Sequence, residues 1–299
     1  MSKLRTDWKG IIVPVVTPFS KDYSLDEAAC RQILEQLIDD GVHGIIVAGS
    51  TGEWFTLSNE ERIRLFEIAA DQVNGRVTLL GGTSAIATRD AVTLTQKAKD
   101  IGLDGTLVLP PPYALPNEAE TIAYYRTVAK VGLPIMVYNN PGRTQININA
   151  KLAAKLALID QVVAFKDSVK DLYQMSETIR TVGDRISMFC GLEPYALPLI
   201  QRGAVGIVAM TPNIIGRRGV DLYKYAAEGN WSEAVKVEGL IDKLYAAFYS
   251  AGYCAYVVIK ECMNLLGRNA GLPRPPLLPM NEADREALRG LLREMDLLR

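Results

Sequence analysis

The chain has 299 residues, a formal net charge of −1 and a pI near 6.0. Its 48% hydrophobic and 22% charged residues are typical of a water-soluble globular protein, and the length fits two average domains or one large barrel. The near-neutral charge argues against nucleic-acid and membrane-surface partners. No apolar run approaches the roughly 18 residues of a membrane span, and the first seven residues show no apolar signal core, so we expect a cytoplasmic protein.

The cysteine and histidine content excludes several kinds of site. Cys30, Cys190, Cys254 and Cys262 lack CxxC spacing, so we expect reduced core thiols and neither disulfides nor zinc ligands. His43 is the only histidine, which argues against a Ser-His-Asp triad and against a His-based metal site. We therefore predict a protein without a metal and a structural role for His43.

Eight short apolar runs of β type recur along the chain, spaced by roughly 20 to 35 residues, the length of one strand–helix unit. Most are apolar throughout, as expected of parallel strands that are covered on both faces. The predicted strands are Gly10–Val16, Gly44–Ala48, Val77–Gly81, Gly105–Leu109, Pro134–Tyr138, Val162–Lys166, Ile186–Cys190 and Ala204–Ala209.

The segments between these runs have the apolar spacing of amphipathic helices. Ser58 and Glu61 form a capping-box pair at the start of one of them. The predicted helices are Leu25–Asp40, Ser58–Val73, Thr88–Ile101, Glu118–Val131, Asn149–Leu158, Leu172–Val182 and Pro194–Arg202. The pattern predicts an α/β fold, a (β/α)8 TIM barrel. A doubly wound sheet is the alternative, but the turn after the first strand, Thr17–Ser20, has no GxGxxG pattern.

The last part of the chain has only helical patterns. The predicted helices are Gly219–Glu228, Trp231–Ser250, Tyr253–Leu266 and Glu282–Leu298, and a Pro/Gly-rich segment, Gly271–Pro276, separates the last two. We therefore predict a barrel over residues 1–213 and a C-terminal helical extension over 214–299 that packs on the barrel.

Polar residues that could take part in catalysis or substrate binding follow the predicted strands. In a barrel of this kind the active site lies at the C-terminal ends of the strands, so these residues are expected to meet on one rim. The segments are Gly49–Glu53, Pro110–Tyr113, Tyr138–Thr144, Lys166–Ser168, Gly191–Glu193 and Val208–Asn213.

Three of these residues are candidates for chemistry. Lys166 ends a buried run, and an amine removed from water becomes a nucleophile toward carbonyl carbon, although a strand-end lysine can also reach for solvent. Tyr138 can relay a proton through its phenol, or it can be a core aromatic at the barrel mouth. The Arg143 guanidinium can bind a carboxylate through paired hydrogen bonds, although most arginines lie on the surface.

Further polar groups surround these three. In Gly49–Gly52, backbone N–H groups and the hydroxyls of Ser50 and Thr51 can hold a carboxylate, unless the segment is a plain turn. Asp167 and Glu193 could act as acids, but negative charge suits a helix N-terminus, and we expect a helix-start role for both.

A lysine amine, a tyrosine phenol and a carboxylate site without a metal favour one mechanism. The amine adds to the ketone of a 2-oxo acid and loses water to form a Schiff base. The iminium withdraws electrons, so the adjacent carbon becomes an enamine nucleophile or loses a leaving group, while the tyrosine moves protons. This is aldol, retro-aldol or dehydration chemistry.

Taken together, these motifs resemble the dihydrodipicolinate synthase / N-acetylneuraminate lyase superfamily of class I aldolases. The resemblance covers most of the chain, and its segments are Gly10–Pro18, Gly49–Glu53, Tyr138–Thr144, Phe165–Ser168 and Arg274–Leu277. It implies small-molecule 2-oxo acid and aldehyde substrates, no cofactor beyond the covalent Schiff base, and a homotetramer built as a dimer of dimers.

The resemblance also implies roles by position. Lys166 matches the Schiff-base lysine and Tyr138 the proton-relay tyrosine, while Ser50 keeps a hydroxyl that passes protons and Thr51 helps to bind the pyruvate carboxylate. Arg143 matches the arginine that receives the aldehyde partner's carboxylate in the synthase branch. Further residues expected to bind substrate are Gly49, Tyr113, Gly191, Glu193 and Val208.

The sequence departs from the synthase at two places. Pro112 stands where the synthase has a tyrosine that reaches the neighbouring subunit's site, with Tyr113 one position along, and Leu192-Glu193 replaces an acidic pair. The departures suggest a paralogue with the same Schiff-base core and a different acceptor pocket. The closest named activity is 4-hydroxy-tetrahydrodipicolinate synthase; the alternatives are a 2-keto-3-deoxy sugar-acid aldolase or dehydratase and a non-catalytic barrel that binds a 2-oxo acid.

Overall fold

The fold is a closed barrel of eight parallel strands, in a computed structural model that describes residues 6–298. Each strand is hydrogen-bonded to the next, and β8 pairs with β1. The strands are β1 (Gly10–Pro14), β2 (Gly44–Val47), β3 (Thr78–Gly82), β4 (Gly105–Val108), β5 (Ile135–Asn139), β6 (Val162–Asp167), β7 (Ser187–Cys190) and β8 (Gly206–Val208). The predicted TIM barrel is thereby confirmed, with strand ends that differ from the predicted ones by a few residues.

Helices follow the strands and cover the outside of the barrel. They are α1 (Glu27–Asp39), α2 (Asn59–Val73), α3 (Thr88–Ile101), α4 (Glu118–Ala129), α5 (Pro141–Thr144), α6 (Ala150–Leu156), α7 (Leu172–Val182), α8 (Ala196–Ile200), α9 (Pro212–Ile215), α10 (Arg217–Ala227), α11 (Trp231–Ser250), α12 (Ala255–Leu265) and α13 (Glu282–Glu294). Ser58 and Glu61 form the predicted capping box of α2. The short helices α5 and α9 were not predicted; each starts with a proline that follows a strand end.

The side chains that point into the barrel form their own small core, which lies beneath the strand ends. It contains Trp8, Ile12, Ile46, Leu80, Leu107, Leu109, Met136, Tyr138, Val163, Ala164, Phe189 and Val208. Trp8 packs so tightly on β4 that a Cβ at Gly105 would lie 2.4 Å from its ring. The interior is therefore filled, and only the carboxyl end of the barrel is left for a site.

The C-terminal helices pack on the barrel and on each other. Helix α10 contacts β1, and α11 contacts the 3-10 turn Glu193–Tyr195 after β7. Helix α12 packs against α9, α11 and α13, which brings its first turn to the strand ends. Packing thus continues across the predicted boundary at 213/214. Within residues 6–298, no helix combines the length and the apolar character needed to cross a bilayer.

Candidate active site

The register of two neighbouring strands places the two main candidates side by side. In the parallel pair β5–β6, Tyr138 is opposite Lys166 and Asn139 is opposite Asp167. Lys166 is 5% exposed, and its Nζ lies 4.0 Å from the centre of the Tyr138 ring. Because side chains alternate along a strand, Tyr138 and Lys166 both face the barrel axis. The register therefore places a buried amine beside a buried phenol on the inner face of the barrel.

The surroundings of Tyr138 favour its phenolate. Burial alone would raise the pKa of Tyr138, but the adjacent Lys166 charge and hydrogen bonds to the phenol outweigh burial and hold that pKa below its usual value. Asn140 Nδ2 donates one of these bonds, 2.8 Å from the Tyr138 hydroxyl oxygen. Sequence analysis placed Asn140 in a strand-end segment but gave it no role.

Gly191, at the end of β7, allows Lys166 to extend toward the cavity. A Cβ at this position would lie 3.0 Å from Lys166 Cε, 2.7 Å from the Asp167 carbonyl oxygen and 2.0 Å from Ser168 Oγ. A larger residue here would displace the lysine or the backbone of β6. Glycine at 191 is therefore a steric requirement of the site.

The loop after β2 that contains Ser50 and Thr51, called the hydroxyl loop, is held mainly by backbone hydrogen bonds. Glu53 adopts a left-handed conformation, and its N–H donates to the Ser50 carbonyl. Thr17 Oγ1 donates to the Gly52 carbonyl at 2.7 Å. These bonds turn Ser50 and Thr51 toward the strand ends, where both line the same cavity as Lys166.

This cavity, the Lys166 cavity, has a volume of about 660 Å³. Its cationic side chains are Lys166, Arg143 and Lys170, and no Asp or Glu lines it in the part of the chain described here. Arg143 is exposed, with its guanidinium carbon 5.5 Å from the centre of the Tyr256 ring. The remaining lining residues that matter for the chemistry are Ser50, Thr51, Tyr138, Asn140, Ser168, Gly191, Leu192, Met210 and Tyr256. The cavity thus suits a substrate with negative charge.

Asp167 does not start a helix, so that expectation was wrong. It lies inside β6, faces away from Lys166, and accepts hydrogen bonds from Asn139 Nδ2 at 2.9 Å and from the Val169 N–H at 3.1 Å. The following helix, α7, is capped by Asp171 instead. Burial raises the pKa of Asp167 to about 7. Its role is to join β5 to β6 outside the barrel.

Glu193 begins a 3-10 turn as expected, but its carboxylate does not line the Lys166 cavity. It is 1% exposed and accepts the Met210 N–H at 2.8 Å, the Thr211 hydroxyl and the Tyr245 hydroxyl at 3.1 Å. Burial raises the pKa of Glu193 despite these donors. The carboxylate thereby fixes the segment after β8, because its acceptor capacity is already used by the protein.

Three further predicted substrate residues also lie outside this cavity. Val208 is 1% exposed in the barrel interior, and Gly49 is buried behind the hydroxyl loop. Tyr113 is 90% exposed, with a φ of +71°, and together with Pro112 it lines a neighbouring cavity of about 390 Å³. His43 accepts the Ile11 N–H at the opposite end of the barrel.

Tyr256 is a site residue that sequence analysis missed. It comes from α12, is 6% exposed, and lines both the Lys166 cavity and the neighbouring one. No local pattern indicates which side of α12 meets the barrel, since the contacts of Tyr256 with Phe55 and Arg143 join residues that are far apart in the sequence.

Comparisons with known proteins identify the family to which the chain is similar. The profile of the dihydrodipicolinate synthetase family matches residues 7–295. An uncharacterized DapA-like lyase of Rhizobium meliloti is 44% identical over 99% of this chain and 98% of that protein. The 4-hydroxy-tetrahydrodipicolinate synthase of Desulforudis audaxviator is 33% identical over 99% of this chain and all of that protein. The solved structure of a chloride-inhibited dihydrodipicolinate synthase from Acinetobacter baumannii, complexed with pyruvate, is 30% identical, covers 97% of this chain and 99% of that one, and has a TM-score of 0.92.

Proposed function

The chain belongs to the dihydrodipicolinate synthetase family of Schiff-base lyases, and we propose that Lys166 forms the Schiff base with pyruvate or another 2-oxo acid. The observation that carries this assignment is the register of β5 and β6, which sets the buried Lys166 amine 4.0 Å from the Tyr138 ring. Lys170 also lines the cavity but is exposed to solvent, so it lacks the water-excluded setting that makes an amine a good nucleophile.

In the proposed reaction the neutral Lys166 amine bonds to C2 of the 2-oxo acid, and the C2 oxygen gains a proton as the nitrogen loses one, which gives a carbinolamine. Tyr138 donates a proton to the departing hydroxyl, so that water leaves and an iminium forms. Loss of a proton from C3 then gives an enamine, which attacks the carbonyl carbon of an acceptor; in the reverse direction the same bond breaks. Asn140 supports each step, because its bond to the Tyr138 oxygen stabilises the phenolate that remains when the proton has left.

We assign the 2-oxo acid carboxylate to the hydroxyl loop. Ser50 and Thr51 face the cavity from this loop, which its own backbone bonds hold in place. Gly191 contributes by leaving room for the Lys166 stem. Gly49, Val208 and Glu193 do not line the Lys166 cavity, so we propose structural roles for them and no contact with substrate.

The acceptor is proposed to be an aldehyde that carries a carboxylate, as in the condensation of pyruvate with aspartate semialdehyde. Arg143 and Lys170 line the cavity and can bind such a group. The sugar-acid alternative needs groups that bind several hydroxyls, yet Leu192 is apolar and the Glu193 carboxylate already accepts bonds from Met210 and Thr211. The cavity therefore favours a synthase-like acceptor.

Borohydride trapping with pyruvate tests the central assignment. Intact-mass and peptide mass spectrometry should place one reduced pyruvate on Lys166 and none on Lys170. Lys166→Ala should abolish the adduct, while the matched variant Lys170→Ala should keep it. If neither pyruvate nor a longer 2-oxo acid gives an adduct, the chain is a binding barrel and the proposal fails.

An aldehyde panel tests the acceptor. We expect turnover with aldehydes that carry a carboxylate and little with neutral analogues, and Arg143→Leu should raise the KM for the charged acceptor by about tenfold or more, the loss of one charge-assisted pair. Equal turnover of charged and neutral aldehydes would exclude the proposed acceptor class while leaving the Schiff base intact.

Assembly, location and cofactor use are proposed from the family alone. We expect a cytoplasmic homotetramer, a dimer of dimers, that works without a cofactor beyond the covalent Schiff base. Light scattering after size exclusion would measure the assembly, and a monomer that retains full activity would contradict it. Activity that survives dialysis against a chelator would support the absence of a metal requirement.

A further inference from the structure

The Lys166 cavity carries more positive charge than a bound 2-oxo acid can neutralise. Its cationic side chains are Lys166, Arg143 and Lys170. When Lys166 forms the iminium, the carboxylate of the bound 2-oxo acid balances that positive charge. The charges of Arg143 and Lys170 then remain in the part of the cavity that is left for the acceptor.

No acidic side chain of the protein neutralises these two cations. Of the acids in residues 6–298, none forms an ion pair with Arg143 or Lys170. Asp171, next to Lys170 in the chain, caps α7 by accepting a backbone N–H of that helix at 3.0 Å. Asp167 and Glu193 do not line the cavity, and burial raises the pKa of both carboxyls. A bound molecule is therefore the natural source of the missing negative charge.

Two aromatic rings hold the cations at the cavity wall. The Arg143 guanidinium carbon lies 5.5 Å from the centre of the Tyr256 ring, and Lys170 Nζ lies 4.7 Å from the centre of the Tyr249 ring. Both rings line the Lys166 cavity. A ring face attracts a cation without neutralising its charge, so each cation keeps its capacity to bind an anion. The cavity thus offers two separate anchor points for negative groups.

An ammonium group on the acceptor would be unfavourable in this cavity. A cation that leaves water needs an acidic partner, and like charges in one site repel each other. The cavity supplies cations instead, and none of its described lining residues is Asp or Glu. Aspartate semialdehyde carries one carboxylate and one ammonium, so its charges match only one of the two anchor points.

We propose that Lys170 determines the acceptor specificity, and that the acceptor is an aldehyde with two carboxylates and no ammonium group. Arg143 binds one carboxylate and Lys170 binds the other. This inference rests on the proposed function and narrows its acceptor class. The bond-forming step is unchanged: the enamine carbon bonds to the aldehyde carbon, the carbonyl electron pair moves to the aldehyde oxygen, that oxygen takes up one proton, and the iminium is regenerated.

Four related aldehydes test the charge requirement. Aspartate semialdehyde carries the ammonium, succinate semialdehyde lacks the amine, the N-acetyl derivative of aspartate semialdehyde replaces the ammonium by an amide, and the N-succinyl derivative adds a second carboxylate to that amide. Initial rates of pyruvate consumption give kcat/KM for each of them. We expect the two singly charged aldehydes to exceed aspartate semialdehyde, and the N-succinyl derivative to exceed the N-acetyl one, each by about three- to fivefold, the equivalent of an exposed charge pair.

Salt and one outcome of this panel separate charge from shape. The differences should shrink in about 1 M salt, where the screening length falls to about 3 Å. Differences that persist unchanged in high salt would assign the selection to shape and overturn the inference. A kcat/KM for aspartate semialdehyde at or above that of succinate semialdehyde would also overturn it.

Variants of Lys170 test the residue itself. Lys170→Met removes the charge and should abolish the preference for the N-succinyl over the N-acetyl derivative. Lys170→Glu should reverse the order of aspartate semialdehyde and succinate semialdehyde, because the ammonium then has a partner. Lys97→Met, which changes an exposed lysine on α3 outside the cavity, is the matched control and should keep the wild-type preferences. Wild-type preferences in Lys170→Met would refute the role of Lys170.

Failure of this inference can be told apart from failure of the proposed function. If the wild type gives no borohydride-trapped adduct on Lys166, the Schiff base is refuted. If charged and neutral aldehydes react equally well, the acceptor class is refuted. If aldehydes with a single carboxylate react best in both the wild type and Lys170→Met, the acceptor class stands and only the present inference is refuted.

Discussion

Replacing Lys260 by methionine is expected to destabilise the whole chain and to loosen the joint between the C-terminal helices and the site. Lys260 Nζ lies 2.5 Å from Glu53 Oε1, and the two side chains are 1% and 0% exposed. Glu53 also accepts the Arg274 N–H at 3.0 Å, and Lys260 donates to the Leu272 carbonyl at 2.8 Å. Burial lowers the pKa of Lys260 to about 8, so the lysine stays mainly protonated at pH 7.

The size of the effect follows from the burial of the pair. Removing one partner of a buried ion pair leaves the other charge uncompensated and costs about 3 to 5 kcal/mol. Unfolding entropy is about 2.1 cal/mol/K per residue, which is roughly 0.6 kcal/mol/K for the 299 residues of this chain. The expected decrease in Tm is therefore about 5 to 8 °C.

Thermal unfolding at one fixed protein concentration measures this decrease, because assembly makes Tm depend on concentration. Lys236→Met is the matched control: Lys236 pairs with Glu233 but its side chain is 70% exposed, so Tm should stay within about 1 °C. The double variant Glu53→Gln/Lys260→Met should recover part of the loss, since no lone charge remains. A Lys260→Met Tm equal to that of the wild type would refute the reasoning. So would a double variant whose decrease in Tm equals the sum of the decreases in Glu53→Gln and in Lys260→Met.

Three further changes test the site itself. Asn140→Leu should lower kcat/KM by about tenfold, the value of one hydrogen bond to a charged group, and should shift the pH-rate inflection of Tyr138 upward, which a pH profile measures. Asp167→Asn should raise the free energy of unfolding by at most about 4 kcal/mol at pH 8 and leave it unchanged below pH 4, as measured by urea unfolding. The reason is that the folded pKa of Asp167, about 7, exceeds its unfolded value of about 3.9, so its contribution is fully present below the unfolded pKa and is lost as the pH rises through 7. Gly191→Ala places a Cβ 2.0 Å from Ser168 Oγ, so trapping of pyruvate should slow by about ten- to a hundredfold, the rate equivalent of overpacking by 1 to 3 kcal/mol.

The barrel could be predicted because its determinants are local and repeated. Strands covered on both faces are apolar throughout, and the helices between them have apolar residues spaced by three and four positions. Both signals recur along the chain. The clustering of Lys166, Tyr138 and Ser50 followed from topology, since parallel strands in one barrel end on one rim. Neither inference needed a contact between distant residues to be known.

The site residues that sequence analysis did not identify depend on conformations and contacts that no local pattern encodes. Asn140 reaches the Tyr138 oxygen only because its backbone turns to φ −143° and ψ 77° as the strand ends. Tyr256 reaches the site only because α12 packs against α9 and α11. Asp167, in contrast, could have been placed correctly: if Lys166 points inward, strand alternation turns the next residue outward.

The alternation along β5 and β6 also explains how a short sequence can both supply the proposed catalytic side chains and position them. Tyr138 and Lys166 face the axis, while the next residues, Asn139 and Asp167, are bonded to each other outside the barrel at 2.9 Å. Asn139 Oδ1 accepts the Ile148 N–H at 2.9 Å, which anchors the loop that carries Asn140 and Arg143. The Asn139–Asp167 bond on the outer face therefore fixes the strand register on which the inner pair depends, and a second bond of the same Asn139 side chain holds the loop that supplies the hydrogen bond to Tyr138. The geometry of the proposed active site is in this sense a consequence of strand pairing, and the C-terminal helices add to the cavity a phenol, Tyr256, that no strand end provides.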